Sequence, residues 1–251
     1  MVFLFLISFC FPSVKCYAPI DLGFLIDASS TIGSTSFQTN IIGFLKQAGK
    51  QYFFSPTDGF QAGVVKFGIR TTVETYFDDC DNYDPCFLRE VNQLRYSSAG
   101  YTRIDLAFKE ANNNLFQTQR GYRGGTAAGF PAYALLISDG GQNPWEDTHG
   151  RGKKAAIANA KALKMRGVKV IAFGLYDTSD RYWGLHENLL KKLASPGLYY
   201  RVNGTTHLLN QLDKLFGAIC KGRYCLELRH LVFFNRSHKS GVLFLSYILM
   251  K

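Results

Sequence analysis

The sequence predicts an α/β fold: a doubly wound, mostly parallel central sheet with one antiparallel edge strand and helices on both faces. Three observations lead there. Short, nearly continuous apolar runs recur along the chain, as strands buried on both faces should read (Ile20–Ile26, Phe60–Phe67, Ala132–Ser138, Val168–Leu175). Segments with apolar residues at helical spacing separate them, and such alternation builds parallel sheets through crossovers. One pair of runs, Phe60–Phe67 and Thr71–Phe77, is joined by a glycine-containing turn, which makes a hairpin and one antiparallel edge.

Each element follows in order. Ile20–Ile26 is the first strand and ends at Asp27. Ser34–Lys50 carries Phe37, Ile41, Ile42, Phe44 and Leu45 at helical spacing. After the hairpin, Cys86–Leu94 reads as a short helix and Arg103–Phe116 as another, with Ile104, Leu106, Ala107, Phe108 and Ala111 on its buried side. Ala132–Ser138 is a strand, and Arg151–Arg166 an alanine-rich helix that Gly167 ends. Val168–Leu175 is a strand, Leu185–Ala194 a helix, Tyr199–Val202 a short strand and Thr205–Ile219 a last amphipathic helix.

Composition bounds the function classes. The chain has 251 residues, 47% hydrophobic and 19% charged, enough for one large domain with a core. Its longest apolar run, Val2–Pro12, is too short for a membrane span, and so is Val242–Met250 near the end. The net charge of +10 is spread along the chain; its densest cluster, Arg151, Lys153 and Lys154, opens a helix. No zinc-ligand spacing, RNA-binding aromatic motif or helix-turn-helix pattern accompanies it, so nucleic acid is set aside in favour of acidic polysaccharide or an anionic surface.

Residues 1–16 resemble a secretory signal peptide, with Val14 and Cys16 fitting one cleavage site and cuts after Cys10 or Ser13 as alternatives. The expected organisation is therefore leader (1–16), folded domain (18–221) and a tail (222–251) to which no function is assigned. Of six cysteines, Cys80 and Cys86 bracket a polar loop that a local disulfide can close. Sequons at Asn203 and Asn235 mark expected N-glycosylation and agree with a secreted, extracellular protein.

In open α/β sheets ligands bind beyond the carboxyl ends of the strands. The first strand ends in Asp27-Ala28-Ser29-Ser30-Thr31, and side chains at alternate positions of such a turn aim one carboxylate and two hydroxyls at one point. The loop before the helix at Arg103 offers Thr102, and the strand Ala132–Ser138 runs into Asp139, expected to be a solvated loop carboxylate. Two carboxylates and three hydroxyls form a hard, all-oxygen set suited to Mg²⁺ or Mn²⁺. Taken singly, Asp27 is also a turn former and Thr102 a helix cap. His149, His186 and His207 are scattered singly and are read as surface or helix-end residues.

With these residues assembled, the chain from Ala18 to Lys221 resembles a von Willebrand factor type A domain, a Rossmann-like fold, of the matrilin and collagen VI extracellular type. Asp27, Ser29, Thr102 and Asp139 match the family's metal-ion-dependent adhesion site, Asp-x-Ser-x-Ser, then Thr, then Asp. Thr31 stands where the family usually has Ser, keeping the hydroxyl and adding a methyl group. The resemblance implies a non-enzymatic adhesion or matrix module whose metal is completed by an acidic residue of an extracellular matrix or cell-surface protein. The competing class is a hydrolase using Ser29 or Ser30, or an aspartyl-phosphate enzyme using Asp27. Against it stand the missing Gly-x-Ser-x-Gly elbow and the missing Asp-x-Asp after the first strand. The strand directions also bring the start of the first strand and the end of the last helix to one pole. A Cys16–Cys220 bridge there would oppose the helix slide that raises affinity in integrin-type domains; if Cys16 is removed with the leader, Cys220–Cys225 is the natural pair.

Overall fold

The structure is a computed structural model that describes residues 19–51, 54–80, 84–96, 100–141, 151–176 and 186–220. The expected leader and tail, and with them Cys16, Cys225, Asn235 and the tail segment Val242–Met250, lie outside the described residues, as does His149.

The chain begins with β1 (Ile20–Asp27), buried at every position. A helical stretch follows, made of one turn α1 (Ser34–Ser36), a π-helical turn (Phe37–Ile41) and α2 (Ile42–Gln51). Next come β2 (Phe60–Phe67), β3 (Thr71–Thr75) and α3 (Asp84–Gln93), whose Pro85 sits in the first turn, where a missing N–H is tolerated. Then α4 (Ile104–Glu110), continued by a π turn (Ala111–Leu115), leads through 3₁₀ turns at Thr118–Arg120 and Thr126–Ala128 to β4 (Ala132–Ser138). The remainder is α5 (Arg151–Met165), β5 (Val168–Tyr176), α6 (Glu187–Leu193), β6 (Tyr199–Asn203) and α7 (Leu212–Ile219).

The six strands form one sheet in the order β3-β2-β1-β4-β5-β6. All neighbours are parallel except the hairpin β2–β3, the expected antiparallel edge. The fold class read from the sequence is therefore the observed one. The last helix is shorter than expected. Residues Thr205–His207 and Leu209–Gln211 wind as 3₁₀ turns, and regular helix starts only at Leu212. Thr205 and Thr206 are β-branched and stiff, and Gly204 at φ 68° turns the chain just before them, so the first turns tighten.

The sheet separates two apolar layers. On one face Leu22, Phe24 and Ile26 of β1 pack with Phe44 and Leu45 of α2, Phe87 of α3 and Leu215 of α7. On the other, Leu25, Val65 and Leu136 pack with Phe108 of α4, Ala156 and Ala160 of α5 and Leu190 of α6. Alternate residues of β1 thus serve opposite layers, as the period of a strand requires. Gly23 and Gly63 face each other across β1 and β2, and this side-chain-free trough receives Leu115 and Phe116. A Cβ on Gly23 would stand 2.9 Å from both of those side chains.

At the start of β1 the wholly buried Asp21 meets Arg123. The Arg123 backbone N–H donates to Asp21 Oδ2 at 2.9 Å and its Nε to Oδ1 at 2.7 Å. The guanidinium also donates to the carbonyls of Pro56 and Gly59 and lies over the Phe130 ring at 4.7 Å. Burial pushes the Asp21 carboxyl above its ordinary value, with Arg123 pulling the other way. Cys80 and Cys86 are joined by a disulfide, Cα–Cα 5.4 Å, that closes the loop ahead of α3. Cys220, just past α7, is disulfide-bonded; Cys16 and Cys225, the two partners considered for it, both lie outside the described residues. Asn203 is exposed at the end of β6.

Candidate metal centre

The parallel register lines up the carboxyl ends of β1, β2 and β4, since Asp27 stands beside Phe67 and Ile26 beside Ile137. Ser138 and Asp139 therefore emerge next to Asp27. Ser138 Oγ donates to Asp27 Oδ2 at 2.6 Å, and the Ser29 N–H donates to Asp27 Oδ1 at 2.9 Å. The Ser29 and Thr31 hydroxyls lie 3.0 Å apart, so the turn leaving β1 does aim its alternate side chains at one place.

Asp139 Oδ1 accepts from the Gly141 N–H at 2.8 Å, which holds this carboxylate over the loop. Gly140 has φ 79°, a conformation glycine adopts readily, and its N–H donates to Ser138 Oγ at 3.0 Å. Thr102 comes from the third loop. The space beside Gly141 touches both Asp139 Oδ1 (3.1 Å from a Cβ placed there) and Thr102 Oγ1 (3.7 Å). No side chain caps α4, whose N-cap position falls on Arg103, so the Thr102 hydroxyl is not spent on capping.

The structure thus brings Asp27, Ser29, Thr31, Thr102 and Asp139 to one end of the sheet. Asp27 and Ser29 are fully buried, and Thr102 is nearly so. Asp139 is 9% exposed, which corrects the expectation of a solvated loop carboxylate: the 139–141 turn folds it inward over Thr102. Burial, followed by the neighbouring Asp139 charge, pushes the Asp27 carboxyl up to about 7, although hydrogen bonds from Ser138 and Ser29 oppose the rise. Two facing carboxylates in a place short of water are an arrangement that a divalent cation relieves, and the hydroxyls are oxygen donors of the kind hard cations take. The residues fit a metal.

Two contributors, Ser138 and Tyr96, were not singled out from sequence, and Ser30 was weighed there only as a nucleophile. Ser138 is the polar last residue of an otherwise apolar strand, and a fully buried hydroxyl there was the available signal. Tyr96 donates its hydroxyl to the Ser29 carbonyl at 3.2 Å, and Ser30 donates to the Gly100 carbonyl at 2.6 Å. Both contacts span long sequence separations and left no local trace. His186 and His207 stand away from the oxygen set; the His186 N–H donates to the Asp139 carbonyl at 3.0 Å, a backbone contact only.

Comparison with known proteins agrees with this geometry. A mouse protein named von Willebrand factor A domain-containing protein 2 is 25% identical over 234 residues, covering 91% of this chain and 27% of its own length. Mouse vitrin is 30% identical over 108 residues, covering 43% of this chain and 16% of its own. The chain thus spans about a quarter or less of the curated relatives it matches. Among solved structures, proximal thread matrix protein 1 of the mussel byssus with a zinc-occupied MIDAS motif superposes with TM-score 0.68 at 21% identity, covering 82% of this chain and 49% of that one. Manganese-loaded TRAP protein of Plasmodium vivax gives TM-score 0.60 at 20% identity, covering 80% and 73%. These likenesses speak for the fold. The model of the von Willebrand factor type A domain matches residues 21–215, most of the chain, and with the strand order and strand-end loops already described this places the protein in that family.

Proposed function

We propose that this domain is an extracellular adhesion or matrix module that binds a protein through a divalent cation, Mg²⁺ or Mn²⁺, held by Asp27, Ser29, Thr31, Thr102 and Asp139. The observation that carries the reading is the buried Asp27–Asp139 pair ringed by hydroxyls at the strand ends. When bound, the cation supplies positive charge and a position that an acidic side chain of the partner fills. The chain's own residues do the rest. Ser138 and the Ser29 N–H hold the Asp27 carboxylate, the Gly141 N–H holds Asp139, and the Ser30–Gly100 contact ties two of the three loops together.

Ile69, 43% exposed, and Tyr101, 39% exposed, flank Gly100 at the same end and offer apolar surface for a protein partner beside the cation. The relatives support the setting: one structural neighbour is a thread matrix protein with a zinc-occupied MIDAS motif, and another is manganese-loaded. Asn203 is the proposed glycan site, at the exposed end of β6.

The test is capture of matrix proteins by the purified chain in Mg²⁺, in Mn²⁺ and in EDTA, together with Asp139→Ala. Capture lost in EDTA and in a folded Asp139→Ala variant is the expected result. Capture indifferent to both overturns the reading.

A further inference from the structure

The densest basic cluster of the sequence opens α5, and the metal centre does not use it. Helix α5 carries Arg151, Lys153, Lys154, Lys161 and Lys164 and no acidic residue. Helix α6 adds Lys191 and Lys192; its acid, Glu187, is paired with Lys191 at 2.8 Å. All of these cations but Lys164 are exposed. Lys164 is committed elsewhere: its Nζ donates to the carbonyls of Lys192, Leu193 and Ala194, which bolts α5 to the end of α6.

Between the two helices lies a cavity of about 450 Å³. Lys153 and Lys192 line it together with apolar Ile157 and Leu189, the polar His186 and Asn188, and one carboxylate, Glu187, whose charge is met by Lys191. Like charges gathered on both sides of a cleft focus the field into it and concentrate anions there. Lys153 and Lys161 are eight residues apart in numbering terms of two helical turns, about 12 Å along the axis, so the charge runs on beyond the cavity along the helix.

We propose that the α5–α6 cleft is a second site, independent of the metal, that binds a linear sulfated polysaccharide. The concave shape, with cations on two helices, fits a strand laid between them better than a flat bilayer, which meets convex surface. Among the described lining residues there is no aromatic ring on which a nucleic-acid base would stack. The apolar stretch between the lysines suits the carbon faces of sugar rings.

The probe is dextran sulfate, with uncharged dextran as its blank, titrated in EDTA so that the metal centre plays no part. Wild-type protein should bind dextran sulfate, with affinity falling as salt rises. The double variant Lys153→Glu/Lys192→Glu should lose affinity on the order of tenfold, equivalent to ~1.4 kcal/mol. Lys46→Glu/Lys50→Glu on α2, against the opposite face of the sheet, makes the same change of net charge and should lose less than about twofold, the range expected of charges remote from the ligand. Thermal melts confirm that each variant is folded. Equal losses in the two variants, or none, overturn the proposal. So does binding to phosphatidylserine vesicles or oligothymidylate as tight as to dextran sulfate and lost in the same variant. Neither result bears on the metal reading, which the EDTA leaves out of play.

Discussion

Removing protons from the Asp27–Asp139 pair should control metal affinity in the neutral range, where ordinary carboxylates no longer titrate. Asp27 is wholly buried beside Asp139, and its carboxyl is pushed from 3.8 up to about 7. In the metal-free protein the native state therefore holds a proton that the unfolded chain has released. The stability linked to this proton is fully present below about pH 3.8 and is lost as pH rises through about 7, a swing of about 4 kcal/mol. A cation reverses the sense, because it binds the deprotonated form and must displace that proton. With one competing proton, affinity at about pH 5.5 should be some 25-fold weaker than at about pH 7.5, and flat above that. Calorimetric titration with Mn²⁺ in two buffers of different ionisation enthalpy measures both quantities, and near pH 6 it should count almost one proton released. Asp27→Asn should bind Mn²⁺ more weakly with a flattened pH profile. An affinity in the wild type that is unchanged between these pH values, with no proton released, refutes the reasoning.

Ser138→Ala removes the hydroxyl that orients Asp27, and Mn²⁺ affinity should fall about 10–100-fold with the thermal midpoint little changed. Arg123→Ala strands the buried Asp21 carboxylate and should lower stability by about 3–5 kcal/mol in denaturant titrations. Gly23→Ala pushes a methyl group into Leu115 and Phe116 and should cost about 1–3 kcal/mol by the same measurement, without altering metal affinity. Replacing Cys80 and Cys86 with Ser opens a loop of six-residue separation and should destabilise by ~2 kcal/mol, seen as a lower denaturation midpoint.

The strands were legible because burial on both faces leaves an unmistakable apolar run; β2 and β4 have the limits the sequence suggests. The proposed metal ligands were legible for a related reason. Asp27 and Asp139 each end such a run, and a carboxylate directly after an apolar strand has few purely structural uses. What could not be read was pairwise. The Tyr96–Ser29 contact joins residues 67 apart, and the Arg123–Asp21 pair joins residues 102 apart, and neither has a local pattern. Nor did the sequence disclose that Asp139 turns inward, since the fold of Gly140 and Gly141 decides that. The 3₁₀ beginning of the last helix was hidden beneath a convincing apolar period that α7 does continue.

The place of β1 in the sheet has a mechanical consequence. β1 lies in the interior of the sheet and is laddered to β2 along its whole length and to β4 from Asp21 to Ile26. A partner held at Asp27 and a tether pulling from the Ile20 end would load this strand along its own axis. Both ladders would then bear the tension in shear, all their hydrogen bonds at once, instead of opening one after another from an edge. Arg123, which grips Asp21, Pro56 and Gly59 together, would spread the pull into the neighbouring loops where it enters. A strand placed this way resists traction best along its own axis.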